Sequence, residues 1–235
     1  MNDIVQALQT AITLIVSLDA NLAEIIGLSL FVSLTAVMIA VFIGLPLGAA
    51  VALLRFPGRG AVQVTLNALM GLPPVVVGLV VYLALSRAGP FGVFGLLYTP
   101  TAMIIAQVIL VTPIIAALTR QVIEDLWGEY EEQLTSLGAS RVRAMPTLIV
   151  DGRFSLLTAV LAGFGRATAE VGAVMMVGGN IDHVTRVMTT AIALEVSKGD
   201  LALALALGII LLAISITVGA TAQAFKDRQE SRGQR

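Results

Sequence analysis

The chain has 235 residues, 57% of them hydrophobic and only 12% charged, with a formal net charge of −1 and a mean hydropathy of +0.95. Soluble domains carry about a quarter charged residues, so this composition points to a membrane protein, and the near-neutral charge gives no reason to expect a nucleic-acid partner. With no cysteine and a single histidine, His183, disulfides and thiolate metal sites are excluded and a histidine-based zinc site is not expected.

Residues 1–20 read as an amphipathic helix. Ile4, Leu8, Ala11, Ile12, Ile15 and Val16 recur at helical spacing, with Gln6, Gln9, Thr10, Thr13 and Ser17 mostly between them. The apolar part is about 15 residues, short for a span, so it is expected to lie on membrane lipid at the interface; a short sixth span is the alternative. No basic region opens the chain, and Asp3 is its first charge, so a cleaved signal peptide is not expected.

The rest, residues 21–225, is dominated by long charge-free blocks: Ile25–Leu54, Gly60–Ser86, Ala88–Thr119 and Leu201–Phe225. Each exceeds the roughly 20 residues that cross a bilayer core of about 30 Å. The third block opens on "AGPFGVFGLLYTP", whose Gly and Pro predict a loop, followed by a helix from about Thr101 to Gln121. A further span is predicted from near Arg153, "RFSLLTAVLAGFGRATAEVGAVMMVGG", fourth in chain order, with Arg166 and Glu170 inside it. The expected fold is an all-α polytopic membrane protein with five core transmembrane helices, followed by a tail at 226–235.

Basic residues give the orientation. Arg55 and Arg59, then Arg120, Arg141, Arg143 and Arg153, then Lys226, Arg228, Arg232 and Arg235 fall on one side of five alternating spans, ten in all. The other side has three: Arg87, Arg186 and Lys198. The first side is therefore expected in the cytoplasm, C-terminus included, with residues 178–200 outside.

The cytoplasmic loop at 129–150 is unusually charged. Glu131, Glu132 and Leu134–Leu137 suggest a short helix, Gly138 suits its C′ position, and Ser140 can N-cap a second short helix carrying Arg141 and Arg143. Leu134 and Leu137, three apart, can present one apolar edge. Two readings stand at this point: a knob that docks in a partner's groove, or a solvated loop whose charges fix topology. The chain has no G-x-x-x-x-G-K-[ST] phosphate loop, and its two lysines, Lys198 and Lys226, fit none. H-E-x-x-H and G-x-S-x-G are absent too, so neither ATP hydrolysis nor hydrolase chemistry is expected of this chain. No two-halves repeat of a self-contained carrier is evident.

Glu132, followed by Gly138, Ala139, Ser140 and Arg141, resembles the EAA loop of ABC importer permeases. In that family the loop is a coupling helix seated in a cleft of a cytoplasmic ATPase. Gln133-Leu134 replace the usual Ala-Ala. Val150-Asp151 stand where Leu-Pro usually ends the loop, and Pro146 comes five residues earlier than Asp151. "GLPPVVVGL" at 71–79 and the segment 165–192 further resemble the permeases for molybdate, tungstate and sulfate. The relevant positions are Gly165-Arg166, Glu170-Val171-Gly172-Ala173, Gly179-Asn180-Ile181 and Thr185-Arg186. The doubled glycine and the short chain look most like the tungstate branch. The resemblance covers roughly residues 25–225. It implies a homodimer, two copies of a separate ATPase that carries ATP and magnesium, and an external oxyanion-binding protein. No cofactor is expected in this chain.

Within that frame Arg166 and Glu170, four apart, are expected on one helix face, either as a mutual ion pair or as part of an anion pathway. Pro73 and Pro74 interrupt the second span; this is either a packing kink or the gate of the path, with Val75 and Val76 in its apolar constriction. Gly179, Asn180, Thr185 and Arg186 are expected on the external face. The alternative class is a self-contained channel or secondary carrier, and a third is a membrane scaffold without transport.

Overall fold

The computed structural model describes residues 2–17 and 20–233 and is helical throughout. The elements in chain order are α1 (Asn2–Val16), α2 (Ala20–Leu53), α3 (Arg59–Met70), α4 (Pro74–Leu85), α5 (Pro100–Ser136), α6 (Arg141–Asp151), α7 (Arg153–Thr168), α8 (Gly172–Gly178), α9 (Met188–Lys198) and α10 (Leu201–Gly233). Among the described residues, three helices are long and apolar enough to cross a membrane: α2, α5 and α10. The pairs α3 with α4 and α6 with α7 raise the number to five if each counts as one broken span. The described helices thus hold three to five candidate spans, a range that includes the expected five.

Several boundaries differ from the sequence reading. The helix expected at 101–121 runs on to Ser136, because no proline follows Gln121 within it and apolar residues keep packing: Ile123 and Trp127 are buried against α2 and α6. At 37 residues it is about 55 Å long, far more than the hydrocarbon core. The first "short helix" of the charged loop is thus the end of α5. The expected fourth span is not one helix either: it breaks at residues 169–171, between α7 and α8. The last helix extends through the segment read as a tail, to Gly233; Gln234 and Arg235 lie outside the described residues.

The chain divides into two compact units. One comprises Met1–Thr35, Pro74–Gln107 and Thr168–Thr221; the other comprises Ala36–Pro73, Val108–Ala167 and Ala222–Arg235. In the first, Ala11 of α1 is fully buried with Leu22, Ile25, Met188, Ala191 and Leu207, while Leu8, Ile12 and Val16 remain exposed. The expected apolar stripe of α1 is therefore divided between protein and surroundings. Here α4 also lies against α8: a β-carbon at Gly78 would come 2.8 Å from the Ala173 Cα.

In the second unit Gly44 and Gly48, one turn apart on α2, admit α5 at backbone contact. A β-carbon at Gly48 would come 2.4 Å from the Ala116 carbonyl oxygen, and one at Gly44 would come 2.9 Å from Ile115 Cγ2. This is the small-xxx-small device of membrane helix pairs, which gains van der Waals contact where lipid offers no hydrophobic drive. Along α2, Phe31, Met38 and Phe42 are 58%, 68% and 83% exposed, an apolar outer surface that suits a membrane helix.

Candidate functional site

The charged loop is built as a knob on the end of α5. Gly138 has φ +78°, and the Gly138 and Ala139 amides donate to the Thr135 and Leu134 carbonyls at 3.0 and 2.9 Å. This is the double bond of a Schellman cap, which requires a left-handed residue that glycine supplies cheaply. Ser140 then caps α6: its hydroxyl accepts from the Arg143 amide at 3.4 Å. The expected glycine at C′ and serine N-cap are both present. Arg141 fastens α6 back onto α5, with its guanidinium 2.9 Å from Glu131 and stacked 5.0 Å over the Trp127 ring.

The two leucines of the expected apolar edge are unequally exposed. Leu134 is half-buried and packs against the buried cluster of Trp127, Ala144 and Leu148, because α6 folds over that face of α5. Leu137 is 83% exposed and Val142 60%, and Glu132 and Ala139 complete the rim. Pro146 lies inside α6 rather than ending it. Beside α6, Tyr130, Gln133, Leu134, Leu137, Pro146 and Val150 line a groove of 660 Å³. From α6 the chain turns by 74° into α7.

The candidate path residues separate into distinct settings. Helical bonding stops over residues 71–73 and resumes at Pro74, as two prolines with no amide hydrogen dictate. Val75 and Val76 open α4 and are 57% and 50% exposed. Arg166 and Glu170 do not share a helix, contrary to their spacing: α7 ends at Thr168 and Glu170 stands in the break. Glu170 is buried, and its Oε1 accepts from the Ala173 amide at 3.0 Å at the start of α8. Its backbone carbonyl accepts from the Thr189 hydroxyl at 2.9 Å. An N-terminal carboxylate of this kind satisfies a free amide donor, and that bond competes with continuing α7.

The residues expected on the external face form a tight loop between α8 and α9. Gly179 has φ +72° and sits against Tyr98, where a β-carbon would come 2.8 Å from the ring. Asn180 also has positive φ, +51°, and its side-chain oxygen bonds the Thr190 hydroxyl at 2.9 Å. Thr185 is fully buried within that loop; its hydroxyl donates to the Gly178 carbonyl at 2.6 Å and accepts from the Ile181 amide at 2.9 Å. A polar residue in that tight turn is consumed by orphan backbone groups. Arg186 pairs with Asp182 at 2.7 Å.

The same loop contains a contact that the sequence did not signal. His183, at φ +58°, bonds Glu24 of α2 through Nδ1 at 2.8 Å. That hydrogen bond and the charges of Glu24 and Asp182 raise the His183 pKa above its ordinary value, against burial and Arg186. A raised histidine pKa stabilises below the unfolded value of about 6.5, and that contribution is lost as pH rises through the folded value. In detergent, His183→Gln is expected to lower the thermal midpoint at about pH 5.5 and to leave it unchanged at about pH 8.5. An equal loss at both pH values rules the charged contact out.

Comparison with known proteins now bears on these features. The family described as "Binding-protein-dependent transport system inner membrane component" matches residues 44–231. The chain belongs to this family. It is a multi-pass membrane transport component, a permease subunit rather than an enzyme, and such permeases work with an ATPase and a binding protein. The chain is 42% identical to the tungstate uptake system permease protein TupB of Peptoclostridium acidaminophilum, over 97% of this chain and 100% of that one. It is 39% identical to a probable anion ABC transporter permease protein of Haloferax volcanii, over 92% of this chain and 97% of that one. The sulfate transport system permease protein CysT of Escherichia coli is more distant, 29% identical over 62% of this chain and 55% of that one.

Proposed function

We propose that this chain is the membrane permease of an ATP-driven tungstate importer. The observation that carries the reading is the 42% identity, over essentially the whole of both chains, to a tungstate uptake permease. The sulfate permease relative is shorter in overlap and lower in identity.

In this reading two copies of the chain form the pathway, and two ATPase chains bind ATP and magnesium below them. An external binding protein delivers a tetrahedral oxyanion. The knob faces the cytoplasm, as the ten-to-three distribution of basic residues favours, together with the C-terminus. Glu131, Glu132, Leu137, Gly138, Ala139, Ser140 and Arg141 form or brace its ATPase contact, and Leu134 anchors it from within. Closure of the ATPase dimer on ATP moves α6. α1 rests on lipid through Leu8, Ile12 and Val16.

Pro73 and Pro74 free the backbone at the gate, with Val75 and Val76 as its apolar wall. Arg166 lends positive potential to the anion path, and buried Glu170 organises the start of α8. The loop carrying Gly179, Asn180 and Arg186, held rigid by Thr185, meets the binding protein.

The function test is reconstitution in liposomes with the ATPase and the binding protein. ATP-dependent tungstate uptake is expected, in preference to molybdate and sulfate. Flux through the chain alone, without ATP, would establish a channel or secondary carrier instead. In the same liposomes Arg166→Gln is expected to lower uptake at least tenfold with assembly unchanged, a loss of about 1.4 kcal/mol or more in the transition state. Undiminished uptake removes Arg166 from the path.

A further inference from the structure

Three helices of the second unit meet around the ion pair of Arg59 and Glu124. Glu124 of α5 accepts on Oε1 from Arg59 Nη2 at 2.6 Å and from Gln63 Nε2 at 2.9 Å, both on α3. Its Oε2 accepts from Arg120, one turn back on α5. Arg59 reaches a third helix as well: Nε and Nη2 donate to the Val51 and Ala52 carbonyls, each at 2.8 Å. Those carbonyls belong to the last turn of α2, where no intrahelical donor remains. One guanidinium therefore ties the end of α2, the start of α3 and the middle of α5 together.

The arrangement differs from an ordinary surface ion pair. The Arg59, Glu124 and Arg120 side chains are 31%, 30% and 16% exposed, so the charges are partly desolvated. Two guanidinium groups and an amide share a single acceptor group. Removing the negative charge leaves two cations facing each other without a counter-ion, a larger change than breaking an exposed pair.

Glu124 also lies at a mechanical junction. On one side along α5, Ala116 and Ala117 are buried with Val51 of α2 and Leu66 of α3. On the other side, Ile123 and Trp127 are buried with Ala144 and Leu148 of α6. α6 is thus bolted to α5 by apolar contact and Arg141. The first turn of α3 is held to α5 by the bonds of Arg59 and Gln63 to Glu124, beside the packing of Val62 against the cluster of Val51, Ala116 and Ala117.

We infer that Glu124 is the positioning residue that makes α3 follow α6, so that a displacement of the knob reaches the half-helix ending at the break at 71–73. Arg59 and Gln63 are its receivers on α3. This rests on the reading that an ATPase moves α6, and it adds where the motion goes next. No contact of Glu124 with substrate is involved.

Two measurements test it. In the purified chain, Glu124→Gln is expected to speed hydrogen exchange of the α3 amides at least tenfold, while α6 and the knob end of α5 keep their rates. Unchanged α3 exchange overturns the tether. In liposomes with the ATPase and binding protein, the same variant is expected to retain ATP hydrolysis within about twofold and to lose at least tenfold in tungstate taken up per ATP. Hydrolysis and uptake falling together, or neither changing, overturns the coupling role.

The chain has no cysteine, so Gln63→Cys with Glu124→Cys can be joined by a short, reducible thiol linker. Uptake per ATP is expected to recover on linking and to fall again on reduction. Failure to recover overturns the role. Should Glu124→Gln not assemble, Gln63→Ala, which leaves the charges in place, decides by the same ratio. If the unaltered chain takes up no anion with its ATPase, the proposed function falls, while the exchange result still reports the tether.

Discussion

Gly48→Val is expected to be among the most destabilising single substitutions in this chain. The valine β-carbon alone would lie 2.4 Å from the Ala116 carbonyl oxygen, 2.7 Å from Thr119 Cβ and 3.0 Å from the Arg120 amide nitrogen. Two of these are backbone atoms, so no rotamer change relieves the clash; α2 and α5 must separate. Overpacking of a close-packed site costs about 1–3 kcal/mol, and a clash against backbone belongs at or beyond the upper end. Separation also pulls Ala49 and Leu53 away from their buried partners Ile123 and Trp127. The expected result is a strongly lowered thermal midpoint in detergent, or loss of the folded peak on size exclusion. Gly128→Ala on α5 is the control, because nothing lies within 4 Å of the added methyl there and the helix gains about 1 kcal/mol in propensity. A Gly48→Val chain as stable as that control would show that this helix crossing is wrong.

Leu137→Asp is expected to weaken ATPase capture at least tenfold while leaving the permease folded. At 83% exposed, Leu137 contributes little to the chain's own core, and surface changes away from special features stay within about 0.5 kcal/mol. Burying such a side chain in a partner's cleft is worth about 1.5–3 kcal/mol, and a buried aspartate without a partner adds a penalty of its own. At 1.4 kcal/mol per tenfold, affinity for the ATPase is expected to fall at least tenfold to a hundredfold. Uptake is lost in proportion. The measurement is the dissociation constant of the detergent-solubilised permease and ATPase, with the thermal midpoint of the permease alone as the folding check. Unchanged affinity would mean that the knob's exposed apolar tip is not the docking contact.

Gly48 and Leu137 differ in how visible they were beforehand. Gly138 and Ser140 carried their roles in their chemistry: a left-handed cap and a side-chain cap, both local and both recovered. Gly44 and Gly48 were equally local in sequence, but nothing in "GLPLG" says which helix approaches them. Leu134 and Leu137 were indistinguishable by spacing, and only the fold of α6 over one of them separated core from contact. Arg166 and Glu170 were misplaced because a spacing of four implies a shared face only while the helix continues. At Glu170 the bond to Ala173 begins a new helix instead.

The sequence by itself determined that this is a helical membrane protein with up to five crossings and that its charged loop caps and restarts a helix. Those properties follow from hydropathy over roughly 20 residues and from capping chemistry within five or six. The tertiary structure alone decided which leucine is exposed, that Thr185 is spent on backbone, and that Glu124 gathers Arg59, Gln63 and Arg120. Each of these depends on groups brought together from different helices, up to 65 positions apart in the case of Arg59 and Glu124. A hydropathy or helical pattern registers nothing at that separation.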